Sequence, residues 1–197
     1  MQDAFVGNWA QESHLSAEIL GSLRDLNHRF LDLTATRTAD WVAGCVAPLS
    51  AAQRAAAAGC PYALFDLRFQ DDGHWGLRLQ TPGSWRAADA PVADDETVNF
   101  VRLALFYAWH VASSAGLKAQ LLLGMNGTTA AAFRRITVNQ LPALVSTEAV
   151  HLSARWSGCT AYWSALTAAA SRADPAALRR VQLYGLQLAA AARLSDP

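Results

Sequence analysis

The stretch that most restricts how this chain can fold runs Val98–Ala112, VNFVRLALFYAWHVA, which is apolar on nearly every side of a helix. Only Asn99, Arg102 and His110 interrupt it. A helix without a polar face belongs in the middle of a core or in a membrane. The run is shorter than the roughly 20 apolar residues that a span needs and contains an Arg and a His, which selects the core. Asp94, Asp95, Glu96 and Thr97 supply an N-cap and an acidic first turn, and Ser113-Ser114-Ala115-Gly116 supplies a stop. His110, inside the run, is expected to be buried with a hydrogen-bond partner.

The other elements are expected to cover this helix, giving a mainly α fold of two helical units packed as a pseudo-dimer. The organisation reads as an N-terminal arm over 1–15, a first helical unit over 16–80, a linker over 81–97 and a second unit over 98–197. With 197 residues and 52 % hydrophobic content, the chain has enough apolar surface for such a core. Ile19, Leu23, Leu26, Phe30 and Leu33 are spaced for one face of a long first helix. Ser50-Ala-Ala-Gln53 and Thr137-Val-Asn-Gln140 are capping boxes, each opening a helix. Phe65, Leu67 and Phe69, then Trp75, Leu77 and Leu79, alternate on either side of Asp71-Asp72-Gly73, which predicts a short β-hairpin near 63–79.

The paired capping boxes suggest an internal repeat. A shift of 87 residues aligns Ser50 with Thr137, Gln53 with Gln140, Arg68 with Arg155, Phe69 with Trp156 and Trp75 with Tyr162. A shift of 82 aligns His28 with His110.

Residues 98–156 run from the long apolar helix through Leu123-Gly124-Met125-Asn126 and the Thr137/Gln140 box to Arg155-Trp156. This order resembles the FlhD family, the D subunit of the bacterial flagellar master transcriptional activator. Leu67-Arg68-Phe69 in the first unit is similar to the family's Arg-aromatic ending. The resemblance implies a small helical protein that dimerises and works with a second, zinc-binding subunit to recruit polymerase. A tandem duplication would place that dimer in one chain. Three positions depart from the pattern. Leu122 replaces a basic residue, Leu152 stands where the family has an inter-subunit cysteine, and the proline of the capping-box helix has moved to Pro142.

Charge is distributed unevenly, although the formal net is zero. Residues 1–96 carry 7 basic and 13 acidic side chains, whereas 97–197 carry 9 and 3. The two halves thus attract one another, or the basic half faces an anionic partner. Thr128, Thr129, Arg134 and Arg135, after the turn at Gly124, together with Arg179 and Arg180, are the candidate nucleic-acid or partner contacts. Trp75 and Trp85 are the candidate exposed anchors for a partner.

No acid–base pair or phosphate loop is legible, so the expected function is non-enzymatic, with no cofactor. His14, His28, His74, His110 and His151 lack His-x-x-x-His spacing, and no metal site with Cys60 or Cys159 is expected. Cys60 has no base near it in sequence that would make it a nucleophile. Three cysteines without a CxxC motif and an N-terminus without a basic, apolar leader indicate the cytoplasm. The leading expectation is a regulatory or adaptor protein whose partner is a regulatory subunit or the transcription machinery. A direct DNA-binding regulator and a small-molecule-binding helical protein are the alternatives. No membrane partner is expected, and a further homodimer is left open.

Overall fold

The computed structural model describes residues 3–37, 40–80, 93–114 and 116–194. The fold is mainly α, with one two-stranded antiparallel sheet. Helix α1 (Asp3–Ala35) is followed by α2 (Trp41–Val46), α3 (Ala51–Ala57), strand β1 (Phe65–Asp66) and α4 (Asp72–Gln80). The chain continues through α5 (Asp95–Ser114), α6 (Gly116–Leu123), α7 (Gly127–Phe133) and α8 (Leu141–Glu148). A 3-10 turn over Ala149–His151 leads to β2 (Ser153–Ala154), then α9 (Thr160–Ser171) and α10 (Pro175–Leu194). The segment expected to be an N-terminal arm is helical from Asp3 onward. No helix among the described residues is long and apolar enough to cross a membrane.

The apolar run becomes α5, extended at both ends. The Asp94 carboxylate accepts from the Thr97 amide and hydroxyl, each at 2.8 Å, and Asp95 and Glu96 occupy the first turn. Those bonds hold the Asp94 carboxyl below its usual range. Phe100, Val101, Ala104, Leu105, Ala108, Val111 and Ala112 are buried, and α5 touches α1, α6, α7 and α8. Tyr107 donates to the Ile19 carbonyl at 3.1 Å, and Trp109 to the Ile136 carbonyl at 2.8 Å. His110 corrects the expectation: it lies on the exposed strip with Asn99, Arg102 and Leu103. An apolar run this dense still leaves one line of a helix facing water when its neighbours do not close around it.

The predicted hairpin does not form. β1 pairs with β2 across the two halves, Phe65 opposite Ala154 and Asp66 opposite Ser153. Residues 72–80 are helical because Asp71 caps them, accepting from the His74 amide at 2.8 Å. Trp75 and Leu79 fit a helical period as well as an alternating one, whereas Leu77 decides between them, being 73 % exposed.

A capping box, a two-residue strand and the helix after it recur in the same order at a spacing of 87–88 residues. Both capping boxes form, with the Ser50 and Thr137 amides donating to Gln53 and Gln140 Oε1 at 2.8 Å. Two residues after each strand comes a left-handed residue, Arg68 (φ 57°) or Trp156 (φ 53°). Trp75 donates its indole N–H to the Arg68 carbonyl at 3.1 Å, and Trp163 to the Arg155 carbonyl at 3.0 Å. Trp75 therefore corresponds to Trp163, one residue beyond the Tyr162 that an ungapped shift selects. The spacing of 82 between His28 and His110 is not shared by the elements around them.

One core joins both halves, and Phe30, Phe65 and Phe100 meet in it with ring centroids 5.2–6.0 Å apart. The segment entering β1 brings bare backbone into this core, and Asn27, fully buried, meets it. Its Oδ1 accepts from the Leu64 amide and its Nδ2 donates to the Tyr62 carbonyl, both at 2.9 Å. Replacing Asn27 by Leu leaves a buried N–H and a buried carbonyl without that partner, each costing about 1–3 kcal/mol. Asn27→Leu is expected to lower stability by about 2–4 kcal/mol, seen as a lower urea midpoint with an unchanged slope.

Candidate functional site

Helix α4 presents two chemically different faces to the second half of the chain. His74 and Arg78, four residues apart, reach Glu148 at the end of α8. Asp72, Gly76 and Leu79 instead line a groove of about 510 Å3 whose other wall is α7, with Thr128, Arg135 and Ile136. Trp75 lies between the two faces and anchors the helix.

Trp75 corrects the expectation of an exposed anchor. It is 0 % exposed, its N–H is bound to Arg68, and its ring packs against Phe69 and Phe133 at 6.1 and 4.7 Å. Trp85 lies outside the described residues. Thr128 is exposed at the start of α7, while Thr129 is 1 % exposed and its amide is held by the Asn126 cap at 2.7 Å. The Thr129 hydroxyl is buried without a hydrogen-bond partner among the described residues, and it borders the groove. Arg134 and Arg135 are exposed just past α7, which packs against α4, α5 and α6. Arg179 and Arg180 are exposed on α10, which packs against α9. The two arginine pairs thus sit on helices with different packing partners.

Sequence reasoning missed the cluster on the other face. His74 Nε2 is 2.7 Å from Glu148 Oε2, and Arg78 Nε is 3.2 Å from Glu148 Oε1. Thr147 Oγ1 donates to Oε1 at 3.3 Å. The Glu148 side chain is fully buried and that of His74 is 8 % exposed. His151, half-buried, lies edge-on to the His74 ring with centroids 5.0 Å apart. Burial holds the His151 imidazole below the usual histidine range, and the neighbouring His74, Arg68 and Arg78 act in the same direction against Glu148. One donor atom from each of His74, Glu148 and His151 lies within 4.8 Å of the others. The local signal was Glu148-Ala-Val-His151, a Glu-x-x-His spacing that turns both side chains to one side of a helix. Its third member, His74, is 74 residues away from Glu148.

Cys60 is no nucleophile in this setting. It is 3 % exposed, 3.8 Å from the Tyr162 hydroxyl, and burial pushes its thiol up to about 11. A thiol so placed stays protonated at neutral pH.

The motif residues that carry the family resemblance have structural work. Gly124 adopts φ 75°, and a Cβ there would collide with the Arg155 guanidinium. Arg155 donates to the Leu122 carbonyl at 3.2 Å and lies 4.5 Å from the centroid of the Trp156 ring. Burial pulls its pKa down to about 10, opposed by the charge of Asp66. Asn126 caps α7 and also donates to the Gln70 carbonyl at 3.0 Å. No family model matches the chain, nor does any curated protein or solved structure.

Gly124→Ala should destabilise the protein by about 1–3 kcal/mol, through the left-handed backbone and the displaced arginine together. Gly44→Ala, where a Cβ meets nothing within 4 Å inside α2, should be neutral or slightly stabilising. Paired thermal melts of the two variants test this.

Proposed function

We propose that this chain is a non-catalytic cytoplasmic regulatory adaptor, similar in design to the flagellar activator's D subunit, that works by docking a segment of a protein partner. The observation that carries this reading is the groove between α4 and α7. Its volume is about 510 Å3, and it is open along one side rather than enclosed. Its two walls come from different halves of the chain, so a partner seated there would grip both. Ala131, Ala132, Ile136 and Leu79 give it an apolar lining, and Asp72 and Arg135 give it one charge of each sign. The unpartnered Thr129 hydroxyl offers such a segment a buried hydrogen bond.

In the same reading the two halves are a pseudo-dimer derived by duplication. Supporting this, at a spacing of 88 residues Phe65 corresponds to Ser153 and Asp66 to Ala154, and the pairs Phe65–Ala154 and Asp66–Ser153 exchange these positions as a two-fold axis through the sheet would. The excess of acid in the first half and of base in the second fits two units that attract one another. Direct DNA binding through Arg134 and Arg135 is the second reading, favoured by their exposure side by side just past α7.

Gly76 lets the two be separated, because it lines the groove and a Cβ on it meets nothing within 4 Å. Gly76→Trp is expected to fill the groove without unfolding α4. In affinity capture from the native extract, the wild type should retain a regulator or polymerase subunit after nuclease treatment, and Gly76→Trp should lose it. Arg134→Ala/Arg135→Ala should reduce capture only modestly. Loss of all capture on nuclease treatment transfers the function to nucleic acid. Identical capture by wild type and Gly76→Trp overturns the groove as the docking site.

A further inference from the structure

We propose that His74, Glu148 and His151 form a binding site for one divalent transition-metal ion of the zinc class, linking α4 to the end of α8. Two imidazole nitrogens and one carboxylate oxygen make a donor set that suits zinc, cobalt(II) or nickel(II) and disfavours calcium and magnesium. The three donor atoms already lie within 4.8 Å of one another. Tetrahedral zinc with bonds of about 2.0–2.1 Å spaces its ligands about 3.3 Å apart. Side-chain torsions can supply the closure of at most about 1.5 Å that this requires. The His74–Glu148 pair, now at 2.7 Å, opens slightly to admit the ion.

The surroundings suit a ligand set. Arg78 and Thr147 hold Glu148 Oε1, which leaves Oε2 turned toward His74 and fixes the carboxylate plane. His151 is half-buried, so water can take the fourth position.

A comparison within the molecule separates this cluster from ordinary packing. At a spacing of 88 residues, His74 corresponds to Tyr162, Glu148 to Cys60, His151 to Ala63 and Arg78 to Leu166. Tyr162 and Cys60 do meet, with the hydroxyl 3.8 Å from the thiol. The same corner of the fold is thus built once from Tyr, Cys, Ala and Leu, and once from His, Glu, His and Arg. Helical packing at that corner does not require a buried carboxylate with two imidazoles. The charge of Glu148 is already balanced by Arg78, so two further imidazoles converging on that carboxylate, at this corner alone, point to a ligand.

The proposal is independent of the groove reading, since no ligand residue lines the groove. It is tested on the full chain without an affinity tag, stripped with chelator and titrated with zinc by calorimetry and with cobalt(II) by visible absorption. The wild type should bind one equivalent, show the intense visible bands of four-coordinate cobalt, and gain thermal stability on loading. Calcium and magnesium should not compete. His151→Ala, at a half-exposed position, should keep the fold and weaken zinc binding at least about tenfold. The isosteric Glu148→Gln should do the same. Cys45→Ser and Cys159→Ser should leave binding unchanged. Absence of stoichiometric binding by the wild type, or equal affinity in wild type, His151→Ala and Glu148→Gln, overturns the proposal.

Discussion

The structure depends on how residues 62–66 cross the centre of a helical core. A helix satisfies its own backbone, but an extended segment entering a core brings N–H and C=O groups that need partners from elsewhere. Here the partners come from distant elements. Asn27 of α1 serves Tyr62 and Leu64, the Ala63 amide donates to the Leu122 carbonyl at the end of α6, and the Leu64 carbonyl accepts from the Arg155 amide. Each of these bonds ties the first half to itself or to the second. A single short crossing therefore fixes the mutual placement of α1, α6 and β2. Apolar packing of Phe30, Phe65 and Phe100 fills the space around it but does not specify direction, whereas the hydrogen bonds do.

That arrangement also explains where chemistry accumulates. Immediately after β1 the chain turns at Arg68 in a left-handed conformation, and Asp71 starts α4 three residues later. Trp75 pins this helix by its bond to Arg68 and its contacts with Phe69 and Phe133. α4 is held at its start, against elements from the other half of the chain. One side reaches Glu148, and another is left short of full contact with α7. Both the cluster and the groove are consequences of a helix fixed by its first turn rather than buried along its length.

Much of this was legible in the sequence where a local rule decides the outcome. The all-round apolar run did become the central helix α5, and both capping boxes formed, because each depends on residues within a few positions of one another. The hairpin failed because Trp75 and Leu79 satisfy two periods, and only the burial of their neighbours separates the two. Trp75 was placed on the surface for the same reason, since a turn residue is expected to be exposed and a helix-anchoring one is not. The His74–Glu148–His151 cluster could be half seen in Glu148-x-x-His151. Its completion by His74 depends on where tertiary packing places α4, beside the end of α8, which no local pattern encodes. The basic residues Arg134, Arg135, Arg179 and Arg180 are all exposed as expected of arginines, but sequence has no means of showing that their helices have different packing partners.

The two corresponding corners differ also in what covers them. Helix α10 follows α9 and has no counterpart among the described residues of the first half. It seals the Tyr162 corner: the Tyr62 hydroxyl donates to the Val181 carbonyl at 3.4 Å, Gln182 donates to the Gly59 carbonyl at 3.0 Å, and Tyr184 packs on Tyr162 with centroids 6.3 Å apart. A Cβ on Gly185 would strike the Tyr62 ring, so helix and ring meet without room for a side chain between them. Under such a cover, hydroxyls and a thiol with raised pKa values are the tolerable polar groups, being neutral. The His74 corner instead retains a half-exposed histidine and an ion pair between Arg78 and Glu148. Solvent access and charge go together, because an ion or a water must reach a site that is to hold one. The asymmetry is thus not a matter of residue identity alone: one corner is closed, and the other is open where its donor atoms converge.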